Sequence, residues 1–488
     1  MTTAVIETER SGRIGARAAV LAYLAVCGVV LLLMMLLGLT MRLAQAQSIE
    51  LGPALFYVLM TMHGAGMVGI AGLGGAAIMW HFLRRYVPLS TGVLVANLVF
   101  FLIGAVLILG AGFIGGFAAG WTFLFPLPAL SGFQWSVNAA AAYLLGLVSI
   151  GVGFLLLYLD IARGILSVYR GLGNALGVKQ ALGLAPLADG PPPAVAAATM
   201  VTIVNTTGIV FGAAVLIISL VNLYVPSFAF DPLAAKNMIY FFGHVFINAT
   251  IYMAVIAVYE ILPIYTHRPW RTNRAFYLAW GLSTAMVLIA YPHHLLMDFV
   301  MPAWVLIIGQ VVSWLSGLPV LFVTAFGTLT NTYRSGLKWD VAAGLVFLGV
   351  AGWVVGGVPA VLDATIAVNG VMHNTLWVPG HFHVYLLLGM MAMMLGFMTY
   401  LAGAKSPFGM APVGFWLYLI GSSVFVLSLL AAGSASVPRR FAVHLQAWLP
   451  YDQVGSLGAC LSLAGAAILV VRFLALLPAA AREDAAKP

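Results

Sequence analysis

Two histidines, His381 and His383, lie two positions apart where a long apolar run, Val384 to Ala402, begins. Successive residues of an α-helix are rotated by about 100°, so positions i and i+2 point to opposite sides of the helix. These two imidazoles therefore cannot bind the same metal ion. A histidine on each side of one intramembrane helix could instead hold two separate metal centres, and two haems that flank the helix are the simplest such arrangement. The alternative is a histidine pair that snorkels at a membrane interface.

The composition indicates a polytopic membrane protein, because 63% of the 488 residues are hydrophobic and only 7% are charged. Twelve apolar segments have spanning length: about 17–41, 54–83, 91–118, 136–161, 197–225, 238–265, 275–293, 302–332, 341–363, 378–402, 412–435 and 453–478. We therefore expect an all-α fold in which residues 1–488 form a single integral membrane domain with short polar termini. The polar connection from Gly171 to Pro193 is expected to be a surface loop.

The net charge of +8 would suggest nucleic acid as a partner in a soluble protein. Here the basic residues lie in the connecting loops, where they set membrane topology, so no nucleic-acid partner is expected. Cys27 and Cys460 lie in separate apolar runs, which argues against a disulfide framework and against a c-type haem attachment site. The first apolar segment has no convincing cleavage site and is expected to be a retained helix.

Basic residues are unevenly divided between the two sides of a twelve-helix chain. With the N-terminus inside, seventeen lie on the inner side: Arg10, Arg13, Arg17, Arg84, Arg85, Arg163, Arg170, Lys179, Arg268, Arg271, Arg274, Arg334, Lys338, Lys405, Arg472, Arg482 and Lys487. Only four lie on the outer side: Arg42, Lys236, Arg439 and Arg440. This asymmetry predicts that both termini are cytoplasmic, in the cytoplasmic (inner) membrane of the cell.

Six histidines from four of the predicted helices collect toward the outer side. They are His63 in the second helix, His244 in the sixth, His293 and His294 at the end of the seventh, and His381 and His383 in the tenth. Ionisable residues inside a membrane are costly and are functional candidates by default. The number also fits, since a low-spin haem takes two imidazoles, an open high-spin haem takes one and a copper-like centre takes three.

These motifs resemble those of subunit I of the haem-copper oxidase superfamily, over nearly the full length of the chain. The matching stretches are His63, Gly243-His-Val-Phe-Ile-Asn, Tyr291-Pro-His-His, His381-Phe-His and the paired-arginine turn Ser436-Val-Pro-Arg-Arg-Phe. The stretch His373-Asn-Thr-Leu-Trp-Val-Pro-Gly-His-Phe-His is most similar to the B-type branch. Each motif is weak when taken singly, but together, in this order on twelve helices, they are a strong signal.

The resemblance implies two haems and one copper ion as cofactors. Their ligands would be His63 and His383 for the low-spin haem, His381 for the high-spin haem, and His244, His293 and His294 for copper. Arg439 and Arg440 would hold haem propionates, since guanidinium groups bind carboxylates well; the alternative is a surface loop anchored by lipid headgroups. His373 would either hydrogen-bond a propionate or begin the tenth helix.

One position departs from the pattern of the oxygen-reducing members. They have a tyrosine four residues after the first copper histidine, and it provides one of the four electrons, and a proton, for splitting oxygen. Here that position is Asn248, and an amide can provide neither. Another branch places its tyrosine one helix later, at a position that falls here near Val287, and Tyr291 is the nearest phenol in sequence that could take its place.

The resemblance therefore favours reduction of nitric oxide (NO) to nitrous oxide, which needs only two electrons. Reduction of O2 by a cytochrome c oxidase-type enzyme is the first alternative. An alternative of another class is a non-catalytic diheme electron carrier, which would need only four of the six histidines. A transporter with histidine proton relays would leave the cluster unexplained.

Electrons would come from an outer-side donor subunit or cytochrome c rather than from quinol. Protons from the inner side would need a polar chain, for which the candidates are Glu260, Thr324, Thr328, Thr330 and Tyr333. Glu260 is sixteen residues beyond His244, about 24 Å along one helix, so it is either a channel mouth or a solvated helix end. Asp160 and Arg163 are expected to form an interfacial ion pair.

Overall fold

The computed structural model describes residues 15–297, 301–403 and 409–482. These ranges contain twelve helices that are long and apolar enough to span a membrane, as the sequence predicts. They are α1 Ala16–Gln45, α2 Pro53–Leu83, α3 Thr91–Phe113, α4 Val137–Tyr169, α5 Pro193–Tyr224, α6 Pro232–Thr266, α7 Arg274–Leu295, α8 Ala303–Thr332, α9 Val341–Asp363, α10 Trp377–Ala402, α11 Ala411–Ser434 and α12 Gln446–Ala481. Four of the basic residues used for the orientation, Arg10, Arg13, Lys405 and Lys487, lie outside the described residues.

Some boundaries differ from the predicted ones because turn and cap residues outweigh hydropathy. Helix α3 ends at Phe113 rather than near residue 118, since Gly116 adopts a positive φ of 69°. A serine directly precedes both α3 and α4, and the side chain of Ser90 or Ser136 accepts a hydrogen bond from the backbone N–H three residues on. The connection 171–192 is not an open loop but contains the short helical turns Leu172–Ala175, Val178–Ala181 and Leu187–Asp189.

Helices α6 and α10 form the centre of the bundle. In each of them, 83% of the most apolar 18-residue window is buried, against 28–50% in the other ten helices. These two helices carry three of the six histidines: His244 on α6, and His381 and His383 on α10. Histidines on the two most buried helices are shielded from lipid on every side, which suits side chains that bind metal ions inside the protein.

Helix α10 has three parts with different winding. It is α-helical over Trp377–His383, π-helical over Val384–Met391 and α-helical again over Ala392–Ala402. The two histidines therefore occupy a short α-helical segment just before a π-helical one. Segments of this kind are rare in proteins and often lie at functional sites.

Connecting segments close the bundle at the end that carries the histidines, here called the histidine end. Hydrogen bonds join these segments to one another or to a helix, among them Gly120 N to Thr61 Oγ1 at 3.0 Å, Gln47 Nε2 to the carbonyl of His444 at 3.1 Å, and Arg439 N to the carbonyl of Asn374 at 2.9 Å. The segments 46–52, 114–136, 364–376 and 435–448 thus form a cap over this end.

Candidate functional site

A cavity of about 550 Å³ lies beneath this cap. It is lined by all six predicted metal-ligating histidines, His63, His244, His293, His294, His381 and His383, and also by Asn248, His373, Arg439 and Arg440. The structure therefore brings together residues from four helices and two connecting segments, as the sequence predicts. Tyr291 is not among the lining residues.

His63 and His383 face each other across part of this cavity. Their ring centroids are 6.1 Å apart and their planes differ by 15°. His63 Nδ1 lies 2.7 Å from the carbonyl oxygen of Met34, and His383 Nδ1 lies 2.7 Å from that of Pro379. A carbonyl can only accept a hydrogen bond, so each Nδ1 carries the proton and each Nε2 keeps its lone pair. Two imidazoles oriented in this way could together hold one haem iron through their Nε2 atoms.

Helix α1 fixes the orientation of His63. Met34 provides the carbonyl that binds His63 Nδ1, and Gly38, one turn later, faces the same ring. A Cβ atom on Gly38 would lie 2.8 Å from His63 Cε1, closer than ordinary van der Waals contact. Gly38 is thus a site residue that the sequence analysis missed, and one glycine in a long apolar helix gave no signal that could have identified it.

The second group consists of His244, His293 and His294. Each offers a ring nitrogen, and the three nitrogens all lie within 4.8 Å of one another. The adjacent pair can converge with His244 because α7 leaves α-helical geometry before it: the α-helix ends at Ile289, and Tyr291–Leu295 form a 3₁₀ turn. His244 is buried and the other two are half-buried. Three imidazoles, with no carboxylate grouped with them among the described residues, suit copper better than the hard cations.

Ser313 and Asn248 support this group. Ser313 of α8 lies 2.8 Å from His293 Nδ1, which also contacts the carbonyl of Ala290 at 2.7 Å. These contacts fix the ring orientation, which is the usual role of residues next to a metal ligand. Asn248 Nδ2 lies 3.1 Å from His244 Nε2, at the position where a tyrosine was expected from the family pattern. Ser313 was not predicted, because it is close to His293 only in space.

His381 stands apart from both groups in its hydrogen bonding. Its Nδ1 is buried and has no hydrogen-bond partner among the described residues, whereas His383 binds a backbone carbonyl. Both residues line the cavity from the same short helical segment. The separation of the two imidazoles toward different metal centres stays a prediction.

Arg439, Arg440 and His373 form the rim of the cavity beneath the cap. Leu376 N donates to the carbonyl of Val437 at 2.8 Å, which holds the two segments side by side. Neither guanidinium forms a salt bridge in the parts of the chain that the structure describes. Burial and then Arg440 lower the pKa of Arg439 to about 10, while burial and then both arginines lower the pKa of His373 to about 4. Asp363 lies near Arg439 and also lines the cavity, but no carboxylate among the described residues pairs with either arginine at salt-bridge distance. Two adjacent cations without such a pair favour an anionic ligand such as a haem propionate.

His373 does not begin the tenth helix, which was one of its two expected roles. It follows the separate short helix Ile366–Met372, and α10 begins at Trp377. Asn369 holds it, with Asn369 Nδ2 3.3 Å from His373 Nδ1 and 2.7 Å from the carbonyl oxygen of Asp363. Its place on the cavity rim leaves the propionate contact as the remaining interpretation.

Tyr291 is separated from the histidine group that it was expected to assist. Its hydroxyl donates to Asn237 Oδ1 at 3.1 Å, and its ring packs edge-on against Phe241. Tyr240 is the phenol that contacts a copper-group histidine: its ring stacks on His294 at 5.4 Å and lines the cavity. Tyr240 precedes His244 by one helical turn, whereas the tyrosine of the oxygen-reducing family members would follow it by one turn.

The polar residues at the opposite end fall into two classes. Thr324 and Thr328 are buried, and Tyr259 Oη lies 2.6 Å from Thr324 Oγ1; Thr330 and Tyr333 are exposed and do not belong to this buried set. Glu260 is not a solvated helix end, because its largely buried carboxylate accepts hydrogen bonds from Tyr86 and Arg85 at 2.8 and 3.1 Å. Its role as a channel mouth stays a prediction. The pair Asp160–Arg163 forms as predicted, at 2.6 Å.

Comparisons with known proteins give consistent results. Residues 18–461 match the protein family described as "Cytochrome C and Quinol oxidase polypeptide I". Cytochrome c oxidase subunit 1 of Thermus thermophilus is 28% identical over 235 residues, 43% of this chain and 41% of that protein, so the match spans less than half of the relative. The Synechocystis protein of the same name is 24% identical over 426 residues, 83% of this chain and 73% of that one.

A solved structure supports the fold. A cryo-EM structure of a heme-copper terminal oxidase dimer has a TM-score of 0.79 to this chain at 20% identity, covering 97% of this chain and 84% of the other. At that level of identity the likeness establishes the twelve-helix fold and its connectivity. It does not by itself assign chemistry to individual residues.

Proposed function

Because this chain belongs to the subunit I family of the haem-copper oxidases, we propose that it is the catalytic subunit of a membrane-bound reductase. His63 and His383 would hold a low-spin haem, His381 a high-spin haem, and His244, His293 and His294 a copper ion. The haems and copper would carry the electrons and bind the substrate. The protein's part is to orient these imidazoles, to keep their nitrogens unprotonated and to neutralise the propionates with Arg439 and Arg440.

We propose nitric oxide as the substrate, and the position of Asn248 is the observation that carries this proposal. Joining two NO molecules consumes two electrons and two protons and yields nitrous oxide and water. Reducing O2 to water consumes four of each. The amide of Asn248 lies against His244, where a phenol could have provided an electron and a proton, and an amide can provide neither.

Oxygen is the second candidate substrate, and Tyr240 is the observation that favours it. Its ring stacks on His294 with 22° between the two planes, so a phenol does touch the copper group from another direction. The curated relatives described above are also cytochrome c oxidases. A non-catalytic diheme carrier is disfavoured, because the three clustered imidazoles have no role in it.

Protons for either reaction would come through the buried polar residues between α6 and α8. Thr266 Oγ1 donates to Asn331 Oδ1 at 2.6 Å, and two turns further along, Tyr259 and Thr324 are hydrogen-bonded. Thr328 lies between them and is buried, and its hydroxyl has no hydrogen-bond partner in the part of the chain that the structure describes. Tyr252, which lines the cavity, continues along α6 toward the histidines. This series of hydroxyl groups supports a path from the opposite end of the bundle.

We further propose that the histidine end faces the outer side of the cytoplasmic membrane, with both termini in the cytoplasm. The excess of basic residues at the opposite end supports this orientation. Electrons would then enter from an outer donor subunit or cytochrome c rather than from quinol, because the low-spin histidines lie directly beneath the cap. No nucleic-acid partner is proposed.

The test is parallel turnover of the purified complex with NO and with O2, measured as nitrous oxide formed and oxygen consumed. We expect sustained NO reduction and slow O2 reduction that releases partly reduced oxygen species. Rapid, complete O2 reduction that is lost in Tyr240→Phe, with both haems and copper retained, would instead assign the oxidase function. Tyr291→Phe is the matched control, because its hydroxyl is engaged with Asn237.

A further inference from the structure

Three buried polar side chains form a connected group at the histidine end, here called the charge triad. Arg42 Nη2 lies 2.8 Å from Asp452 Oδ1, and His444 Nδ1 lies 2.7 Å from Asp452 Oδ2. Their exposed fractions are 5%, 0% and 2%. The three residues come from α1, α12 and the cap segment 435–448, so only the folded chain brings them together.

The charge triad borders the low-spin pocket. Met34, Gly38 and Arg42 follow one another at intervals of four residues and therefore lie on one face of α1. Met34 binds His63 Nδ1, Gly38 faces the His63 ring, and Arg42 lines the same cavity one turn closer to the cap. A change of charge within the triad would therefore act on the low-spin site through buried protein, where electrostatic interactions are weakly screened.

The Arg42–Asp452 ion pair does not by itself explain why His444 belongs to the charge triad. Arg42 and Asp452 already cancel each other's charge, and Gln45 Oε1 accepts a further hydrogen bond from Arg42 at 2.7 Å. His444 adds an imidazole, which can be neutral or, with a second proton, positively charged. Its Nε2 is buried and has no hydrogen-bond partner among the described residues. The triad thus carries either no net charge or one positive charge, and the proton on Nε2 decides which.

His444 is buried but close to water. Its neighbours Val443 and Leu445 are exposed, with exposed fractions of 69% and 61%. His444 therefore lies just beneath the surface of the cap, so a proton from the aqueous phase at the histidine end need not cross the bundle to reach it.

We propose that His444 is a proton-binding residue whose protonation is coupled to reduction of the low-spin haem, an inference that rests on the proposed assignment of His63 and His383. When one electron from the external donor reduces ferric to ferrous iron, the pocket gains one negative charge. One proton from the aqueous phase then binds His444 Nε2 and restores the charge balance; the reverse occurs on oxidation. The reduced protein therefore binds this proton more tightly than the oxidised one.

The surroundings of His444 define which other groups could titrate with it. The charged side chains in contact with it are Arg42 from α1 through Asp452, and Asp452 itself from α12. Trp448 packs edge-on against its ring. Other ionisable residues on the cap segment and on the elements bound to it include Arg439, Arg440, His373, Glu50, Tyr57 and Tyr451.

The test is a potentiometric titration of the low-spin haem band in the purified holoprotein, repeated at several values between about pH 5 and pH 8, where histidine titrates. Full coupling changes the reduction equilibrium tenfold per pH unit, which is about 59 mV for one electron. We expect at least a twofold change per pH unit, about 18 mV, with the potential falling as pH rises. His444→Gln, which stays neutral and keeps a donor for Asp452, should abolish this slope. The control His267→Gln, at an exposed histidine at the other end, should keep it.

Two results would overturn the proposal: a flat potential in the wild-type protein, or an unchanged slope in His444→Gln. If His444→Gln does not retain its haems, Asp452→Glu takes its place, since it keeps all three charges. A shift of the pH range over which the reduction potential changes supports the proposal. An unchanged pH range overturns it. Turnover is not measured, so the outcome is independent of whether the substrate is NO or O2. A low-spin band that survives His63→Ala would refute the haem assignment separately.

Discussion

Replacing Gly38 with alanine should weaken the low-spin haem site without touching either of its ligands. The new Cβ would lie 2.8 Å from His63 Cε1, and ordinary contact begins at 3.4 Å, so the ring must move by about 0.6 Å. The ring has little freedom to do so, because its Nδ1 is bound to the Met34 carbonyl at 2.7 Å. Overpacking of this kind typically costs about 1–3 kcal/mol. At about 1.4 kcal/mol per factor of ten, haem affinity should fall by roughly 5- to 150-fold.

The assay is the amplitude of the low-spin visible band after purification, together with the rate at which that haem passes to an excess of a haem-acceptor protein. Gly110→Ala is the matched control, since it makes the same change in a spanning helix at a position where nothing lies within 4 Å of the added Cβ. It should leave both measurements at their wild-type values. A Gly38→Ala protein with an unaltered low-spin band and unaltered haem retention would show that α1 does not constrain His63 in this way.

The remaining predictions concern the metals and the proton path. Either His63→Ala or His383→Ala should remove the low-spin band and leave the high-spin band, and His381→Ala should do the opposite; loss of the same haem from all three would refute the assignment. Metal analysis should find about one copper per two haems, and iron in place of copper would contradict the metal assignment. Ser313→Ala should lower copper retention by roughly 10- to 100-fold, because Ser313 contacts the copper-group residue His293. Tyr259→Phe should slow turnover and leave both haem spectra unchanged, because it removes the hydroxyl that contacts Thr324, and undiminished turnover would exclude this path.

Much of this architecture could be predicted from sequence because a membrane leaves few alternatives. Backbone groups in lipid must be satisfied within a helix, so twelve apolar segments predict twelve helices. The six histidines could be placed at one end because successive helices cross the membrane in opposite directions. The position of a histidine along its helix therefore indicates which side of the membrane it lies near. The role of Arg439 and Arg440 came instead from the resemblance of Ser436-Val-Pro-Arg-Arg-Phe to the paired-arginine turn, with which their place among the few basic residues of the outer side agrees.

What could not be predicted depends on which helices are neighbours. The contact of Gly38 with His63, and that of Ser313 with His293, join residues on different helices, and hydropathy does not report such pairs. The charge triad joins residues 410 positions apart, where the sequence shows only one basic residue and one acidic residue near separate helix ends. Tyr291 was misjudged for a related reason, since proximity in sequence to His293 does not fix the direction of its ring.

The π-helical segment Val384–Met391 has a consequence for how this protein can vary. A π-bulge behaves as one extra residue within an α-helix, and a residue added to or removed from a helix rotates everything beyond it by about 100°. Deleting one residue from this segment would restore a regular helix, but it would turn either the two histidines or the buried methionines Met390, Met391, Met393 and Met394 away from their present neighbours. Length changes in α10 should therefore be tolerated less well than substitutions. Because of the irregular segment, the turn of α10 that carries the histidines and the part that carries the buried methionines can each face their own neighbours.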